Sequence, residues 1–353
     1  MPVLKNSPGE LCFSSALPDI VFGTADAVGR VVLDFVCGGD RFNALDETMF
    51  ADAEGTVTIG DISAIAWMYA RQFLQITMEC SFTDTQGTVS MTPVTILYAN
   101  ADVDVSAAEF TSNHFLTTLN GPKITAYGRE ERLYAYGATT VDVTAQVMGN
   151  DGSLNEESVE LTPFESLEGL NRYGFSVGPA ALAEAMALVD KKIYSYVVAA
   201  GEREQEFQVV DDLNPPAPSL MFVNSFGCFE FLHCIGTHRK ASKYERLAIR
   251  MKGKLRNCRI VEDRQLTANT GWLNQYMADW ADELFRSEEV YLWNEAGTGK
   301  EVVVSDSKSD LTNEEDEMPA FEFTYGYAQR LHNVMQTVRA GRIFDNTFDH
   351  TFN

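Results

Sequence analysis

The sequence predicts a mainly β, multi-domain α+β fold with a few packed helices, and three observations support this. A helix with one apolar face, followed by two short strand-like runs around a turn, occurs near residues 61, 179 and 271. Gly, Asn and Asp residues separate the other apolar runs, which is typical of antiparallel strands. The chain has 353 residues, 45% of them hydrophobic, which is enough for two or three cores. We therefore predict three β-rich domains, each carrying one helix followed by a β-hairpin.

The first predicted domain spans residues 1–118. Val31–Cys37 is an apolar run bounded by glycines, as expected of a strand that ends in a turn. Asp61 is a suitable N-cap residue for the first helix. The apolar face of that helix is predicted to hold Ile62, Ile65, Ala66 and Tyr69. The hairpin that follows is predicted from Phe73–Cys80 and Thr88–Leu97.

The second predicted domain spans residues 119–214. Its helix starts at Pro179, because a proline in the first turn loses no hydrogen bond. The apolar face of this helix is predicted to hold Leu182, Met186 and Val189. Ile193–Val198 and Glu206–Val210 are the predicted strands of its hairpin. The segment Asp211–Pro218 contains three prolines, which predicts a domain boundary there.

The third predicted domain spans residues 215–353. Its helix is predicted to begin near Gly271, capped by Asn269 or Thr270, and to end around Ser287. The apolar side of this helix is predicted to hold Trp272, Leu273, Tyr276, Met277, Trp280, Leu284 and Phe285. The solvated side is predicted to hold Asn274, Gln275, Asp279, Asp282, Glu283 and Arg286. The two strands that follow are predicted at Val290–Trp293 and Glu301–Ser305.

The repeated order of helix and hairpin has two interpretations. The three helix starts are irregularly spaced, so the sequence does not support a solenoid with a fixed period. Three related domains would produce this order. Any strand-rich protein with a few helices would also show such echoes, and the sequence leaves both interpretations open.

The net charge limits the classes of partner. The chain has 27 Lys and Arg against 51 Asp and Glu, a net charge of −24, which argues against nucleic acid or an anionic membrane as the main partner. The first residues lack the apolar core of a signal peptide, and no run approaches the ~20 apolar residues of a membrane span. We expect a chain that is made in a cytoplasm and stays soluble.

Residues 239–264 have the opposite charge to the rest of the chain, with ten of its 27 basic residues. A basic strip on an acidic body is suited to head-to-tail contact between copies of the chain. A solvated strand face with internal salt bridges is an equal alternative. Nucleic-acid binding is less favoured, because Tyr244 is the one aromatic residue in the strip. The basic residues of the predicted subunit interface are Arg239, Lys240, Arg246, Arg250, Lys252, Lys254, Arg256 and Arg259.

The last residues repeat a Phe-Asp-x-Thr unit with a period of four. This period places Phe344, Phe348 and Phe352 on one face of an extended arm, since Asn, Asp and Thr disfavour a helix. An arm of this kind packs on its own domain or adds as a strand to a neighbouring subunit. We include the three phenylalanines in the predicted interface.

The sequence predicts no catalytic residue, no cofactor and no metal site. The six cysteines lie scattered in apolar runs, as expected of reduced core residues. Cys228, His233, Cys234 and His238 form a cluster, but on an extended strand the two cysteines would lie ~20 Å apart, which does not suit zinc. His114 has no second ligand type nearby. No nucleophile elbow or zinc-protease motif occurs, and the many carboxylates give no specific support to a glycosidase.

Several short motifs resemble structural proteins of phages and prophages that infect Bacteroidetes. The motifs are Phe222–Gly227, Gly236–Lys240, Thr267–Leu273, the closing Phe-Asp-x-Thr-Phe-Asn, and Asp61–Ile65 before the first helix. The similarity lies mainly in residues 215–353. It implies a virion component of the tail or baseplate, built from β-sandwich modules and assembled as a ring, with no catalytic residues.

We therefore predict a non-enzymatic phage virion structural protein that forms a ring or larger homo-oligomer. Its predicted partners are copies of itself and other virion proteins, and its predicted location is the virion, after assembly in the bacterial host cytoplasm. The alternative is a carbohydrate-binding or adhesin-like module that recognises a host glycan. Such a module would expose Tyr and Trp on one sheet face, whereas core packing is expected to explain the tryptophans at positions 67, 272, 280 and 293.

Overall fold

The computed structural model describes residues 1–211, 218–293, 299–307 and 318–328. The described chain is mainly β, as the sequence predicts, and it has four helices where the sequence predicts three. The sheets are built from three successive segments, 3–97, 123–210 and 219–327, and among the described residues no strand of one segment pairs with a strand of another.

The first segment forms two sheets around one core. Phe22 and Phe82 stack in that core with ring centroids 5.4 Å apart, one from each sheet. The strands of this segment are β1 (Val3–Asn6), β2 (Leu11–Phe13), β3 (Ile20–Gly23), β4 (Val28–Cys37), β5 (Asp40–Phe50), β6 (Thr56–Ile59), β7 (Gln75–Asp84), β8 (Gly87–Ser90) and β9 (Val94–Leu97). The larger sheet has the order β2-β9-β7-β4-β5, with β8 paired to β7, and the smaller sheet has the order β1-β3-β6. Helix α1 (Ile62–Phe73) packs on the larger sheet.

The second segment is also sandwich-like, with an aromatic stack in its core. Tyr196 and Phe207 stack with centroids 4.7 Å apart. Its strands are β10 (Lys123–Ala126), β11 (Arg132–Tyr136), β12 (Val141–Gly149), β13 (Leu154–Leu161), β14 (Glu165–Leu167), β15 (Arg172–Ser176), β16 (Lys191–Ala200) and β17 (Arg203–Val210), with helix α3 (Pro179–Ala185) and a 3-10 turn at 168–170. The sheet orders are β10-β17-β16-β12-β13 and β11-β15-β14. Strand β10 runs parallel to β17, and the other pairs are antiparallel.

The third segment is one seven-stranded antiparallel sheet covered by a helix, so helix α4 (Gln275–Arg286) takes the place of a second sheet. Its strands are β18 (Ser219–Val223), β19 (Phe229–His233), β20 (His238–Met251), β21 (Lys254–Asn269), β22 (Val290–Trp293), β23 (Lys300–Ser307) and β24 (Glu322–Tyr327). Their order is β19-β18-β22-β23-β24-β21-β20. Trp280 of α4 is buried against Phe222 of β18, with ring centroids 5.7 Å apart.

The predicted descriptions of α1 and α3 need correction. Asp61 occupies the N-cap position of α1, but its φ is +54° and its side chain makes no cap hydrogen bond. Ile65 is 39% exposed, and Ala70 is buried on the inner face instead. Helix α3 starts at Pro179 as predicted, but it ends at Ala185, so Val189 lies beyond it and is exposed.

The start of α4 was predicted four residues too early. Its N-cap is Asn274, whose Oδ1 accepts a hydrogen bond from the Met277 amide at 2.8 Å. The predicted cap Asn269 instead ends strand β21. Trp272 therefore precedes the helix and is 71% exposed, which contradicts its predicted place in the core. The predicted end at Ser287 is confirmed.

The three segments share a small apolar cluster. Helix α2 (Ala107–Asn113), an element additional to the three predicted helices, lies at this junction, and the side chain of its N-cap Ser106 accepts a hydrogen bond from the Glu109 amide. The cluster contains Phe13, Leu97, Ala99, Ala107, Leu116, Tyr134, Phe226 and Cys228. The predicted boundary near residue 118 falls between α2 and β10. The predicted boundary at 214 falls in 212–217, outside the described residues.

Candidate functional site: an exposed basic hairpin

Strands β20 and β21 form a hairpin that holds all eight predicted interface cations. The strands have 14 and 16 residues, so β20 alone is ~46 Å long at about 3.3 Å per residue. The turn consists of Lys252 and Gly253, with φ of +49° and +79°. A two-residue hairpin turn needs positive φ at both positions, and glycine takes this conformation without strain.

Among the residues that the structure describes, the hairpin is anchored at its base alone. Leu266 and Ala268 are buried in the core of the third segment, and β24 pairs with β21 over the range Leu266–Asn269. Residues 239–261 are all exposed, on both faces of the hairpin. Because an isolated two-stranded hairpin is marginally stable in water, a bare hairpin of this length indicates a surface for a partner.

The outer part of the hairpin is uniformly positive. Residues 246–261, which we call the distal hairpin, contain six Lys and Arg residues and no Asp or Glu, in a chain with a net charge of −24. The six are Arg246, Arg250, Lys252, Lys254, Arg256 and Arg259. None of the eight predicted interface cations forms an ion pair with any carboxylate that the structure describes. At the base, Arg264 does pair with Glu262 at 2.7 Å, which lowers the pKa of that carboxyl.

The distal hairpin aligns an apolar row beside a cationic row. The pairs Leu247–Arg259, Ile249–Arg256 and Met251–Lys254 stand directly opposite each other. Directly opposed residues share a face, so one face carries three apolar side chains on β20 and three cations on β21. The apolar three are 58%, 36% and 52% exposed, respectively. Such a face is complementary to a surface that carries both negative charges and exposed apolar side chains.

The remaining predicted interface residues lie outside this hairpin. Phe344, Phe348 and Phe352 belong to residues 329–353, which lie outside the described part of the chain. The C-terminal arm therefore stays a prediction.

The Cys and His cluster singled out in the sequence serves packing and hydrogen bonding. Cys228 and Cys234 are buried free thiols, and burial raises the pKa of each to about 12. His238 Nε2 lies 3.1 Å from the hydroxyl of Tyr325, and burial lowers the pKa of His238. Among the described residues no group of three His, Cys, Asp or Glu could hold a metal ion.

Sequence reasoning missed a buried polar network between the second and third segments. Lys123, Glu131 and His233 are all buried, and Glu131 contacts both of the others. A lysine in a short strand-like run was the one sequence signal for it, because a buried lysine needs a partner. This network joins the sheets of the second and third segments.

Comparisons with known proteins do not identify a family. No protein-family model matches the chain, and no curated protein sequence matches it. Fibronectin(III)-like modules of Clostridium thermocellum CbhA align with 60% of this chain and 95% of their own, at 11% identity and a TM-score of 0.16. The C-terminal domain of the Streptococcus pyogenes antigen I/II-family protein AspA aligns with 59% of this chain and 96% of its own, at 10% identity and a TM-score of 0.13. Likenesses at such TM-scores carry no argument about function.

The described helices also bear on membrane insertion. The longest have 12 residues, and none of the helices in the described part of the chain is long and apolar enough to cross a bilayer.

Proposed function

We propose that this chain is a non-enzymatic structural protein of a phage virion, a tail or baseplate component that forms a ring or larger homo-oligomer through the distal hairpin. The observation that supports the assembly step is the hairpin itself, which no described residue covers on either face and which carries only positive charges in residues 246–261. The acidic body of a second copy is its natural partner, because opposite charge steers association and fixes orientation. The virion assignment rests on the motif resemblance, with other virion proteins as further partners.

The decisive experiment measures mass in solution by light scattering over a range of concentration and salt. We expect an oligomer that loosens as salt is raised, because exposed charges are screened. In a shortened variant, Asn-Gly replaces residues 245–261, which joins the directly opposed Tyr244 and Glu262 by a two-residue turn. This variant should be monomeric and keep the thermal stability of the body. A wild-type chain that stays monomeric under every condition would contradict the proposal.

A carbohydrate-binding module remains the second candidate, and one observation favours it. Trp272 is 71% exposed beside a mainly apolar cleft of about 560 Å³ between β10 and the start of α4. An exposed aromatic ring can stack on the apolar face of a sugar. Binding of host surface polysaccharide that is lost in Trp272→Ala, with Trp293→Ala as the control, would support this candidate.

A further inference from the structure

The five-stranded sheet of the second segment presents an acidic face. The register sets Asp142 opposite Glu160 and Ala199, and Ala199 opposite Glu204, so these four residues form one row across the sheet. Two parallel rows contain Glu206 and Glu156. All five carboxylates are exposed, and we call them the acidic face: Asp142, Glu156, Glu160, Glu204 and Glu206.

This face has no cation of its own in these three rows. The twelve residues of the rows include five carboxylates and no Lys or Arg, and Lys192 lies in the next row along. Asp142 and Glu160 stand directly opposite each other, an arrangement of like charges that destabilises a sheet. A cationic partner would relieve that repulsion.

A groove extends the negative surface beyond β17. Glu204 and Glu206 also line a groove of about 790 Å³, together with Asp102 and Asp104 from the loop before α2. None of the described residues that line this groove is a Lys or Arg. Seven carboxylates therefore surround one continuous surface, against the six cations of the distal hairpin.

The centre of the acidic face is partly apolar, and its short side chains protrude less than the carboxylates around it. The middle strand β16 contributes Ser195, Val197 and Ala199, which are small and half-buried, while carboxylates stand on the strands to either side. Neighbouring strands lie ~4.8 Å apart, and the two rows of the hairpin have the same spacing. The apolar row of the hairpin can thus lie over β16 while its cationic row lies over Glu204 and Glu206.

We propose that the acidic face of one copy binds the distal hairpin of a neighbouring copy. This inference rests on the proposed assembly and names its second surface. Because the two surfaces differ, the contact is head-to-tail, and such contacts generate a ring if the rotation closes and a filament if it does not. Leu247, Ile249 and Met251 cover the small residues of β16, and Arg256 and Arg259 pair with the carboxylates of β17.

Charge reversal tests both surfaces. Glu204→Lys with Glu206→Lys should raise the concentration for half-assembly at least ~10-fold, and Arg256→Glu with Arg259→Glu should do the same. A chain that carries all four changes should assemble within ~3-fold of wild type, because each reversed hairpin then meets a reversed face. The control for the reversal on β17 is Glu47→Lys with Glu54→Lys, on the exposed surface of the first segment. It changes the net charge by the same amount as Glu204→Lys with Glu206→Lys and should have little effect on the concentration for half-assembly.

The outcomes separate the two proposals. If the hairpin reversal dissociates the oligomer and the reversal on β17 does not, the hairpin binds elsewhere, and the acidic face is excluded while the proposed function stands. If the combined chain fails to reassemble although its circular dichroism and thermal unfolding match wild type, the pairing of these two surfaces is wrong. If the wild-type chain never assembles, both proposals fail.

Discussion

The Nζ of Lys123 lies 2.7 Å from the Oε2 of Glu131, in an ion pair that is almost completely buried. The same ammonium donates to the carbonyl of Phe231 at 2.9 Å and lies 4.4 Å from the ring centre of Trp280. Lys123 and Glu131 belong to the second segment, whereas Phe231 and Trp280 belong to the third. The ion pair therefore holds two sheets together from inside the protein.

Removing one charge of this pair should be costly. Glu131→Gln leaves the ammonium of Lys123 buried without its carboxylate, and breaking a buried pair in this way costs about 3–5 kcal/mol of unfolding free energy. Urea unfolding would measure the loss. Asp46→Asn, which breaks the exposed pair with Arg30, is the matched control and should change stability little. Equal effects of the two variants would contradict this account of the junction.

The stability of the junction should depend on pH through His233. Its Nδ1 lies 2.9 Å from the hydroxyl of Ser219, and its Nε2 lies 3.1 Å from Glu131 Oε1. Burial lowers the pKa of His233, and the nearby carboxylate of Glu131 opposes that shift in part. As pH falls below ~6.5, this histidine is therefore protonated in the unfolded chain before it is protonated in the folded protein. The free energy of unfolding should decrease as the pH is lowered further.

A His233→Gln variant measures this dependence. Between pH 7 and 5, the slope of unfolding free energy against pH should fall by up to ~1.4 kcal/mol per pH unit. It should not fall to zero, because burial also lowers the pKa of His238. An unchanged slope would exclude His233 as a source of the acid sensitivity.

The cap of α4 should contribute measurably to folding. Asn274 accepts from the Met277 amide at 2.8 Å, and its Nδ2 donates to the carbonyl of Pro122 at 2.9 Å. Asn274→Ala removes both bonds, so we expect a loss of about 1–2 kcal/mol in urea unfolding. Asn274→Asp keeps the cap and loses the donor, and it should cost less. Equal losses would assign the effect to the bond with Pro122.

The apolar row of the hairpin should affect assembly and leave the folded monomer unchanged. Leu247→Ser with Ile249→Ser removes exposed apolar surface from two residues that belong to none of the buried cores. We expect an unchanged melting temperature and a several-fold higher concentration for half-assembly, because apolar contact contributes to the interface. Met68→Ser, at an exposed methionine of α1 in the first segment, is a control for lost surface hydrophobicity away from both proposed surfaces.

Local sequence patterns predicted the helices and strands well, but they did not predict which residues contact each other in the folded chain. The sequence predicted the order of helix and hairpin because apolar periodicity and turn residues are local signals. Helices α1, α3 and α4 follow that order, although α4 starts four residues later than predicted and α3 ends before Val189. Glu283 was assigned to the solvated side of α4, yet it is buried, and its two oxygens accept from the amide and hydroxyl of Ser225 at 2.7 and 2.9 Å. That partner lies 58 residues away, and no local pattern predicts it.

For the candidate site too, local sequence patterns did not predict the three-dimensional arrangement. Composition located the cations between residues 239 and 264, but it could not show that both faces of their strands are exposed. The structure shows it, because residues 239–261 are all exposed and β20 is an edge strand held by β21 alone among the described strands. The acidic face was invisible in the sequence, because Asp142 and Glu204 are 62 residues apart and meet in one row through β12, β16 and β17.

The unpaired edge of β20 affects the solubility of the chain and the way in which the proposed assembly grows. Bare edge strands pair with one another and lead to aggregation, and positive charge along the edge is a recognised protection against this. Two copies that met edge to edge at β20 would bring their cations together, so symmetric pairing is repelled. If copies assemble as proposed, each growing assembly has two unlike ends, one with a free hairpin and one with a free acidic face. Its growth stops when it closes on itself or when a protein that resembles one end binds the other.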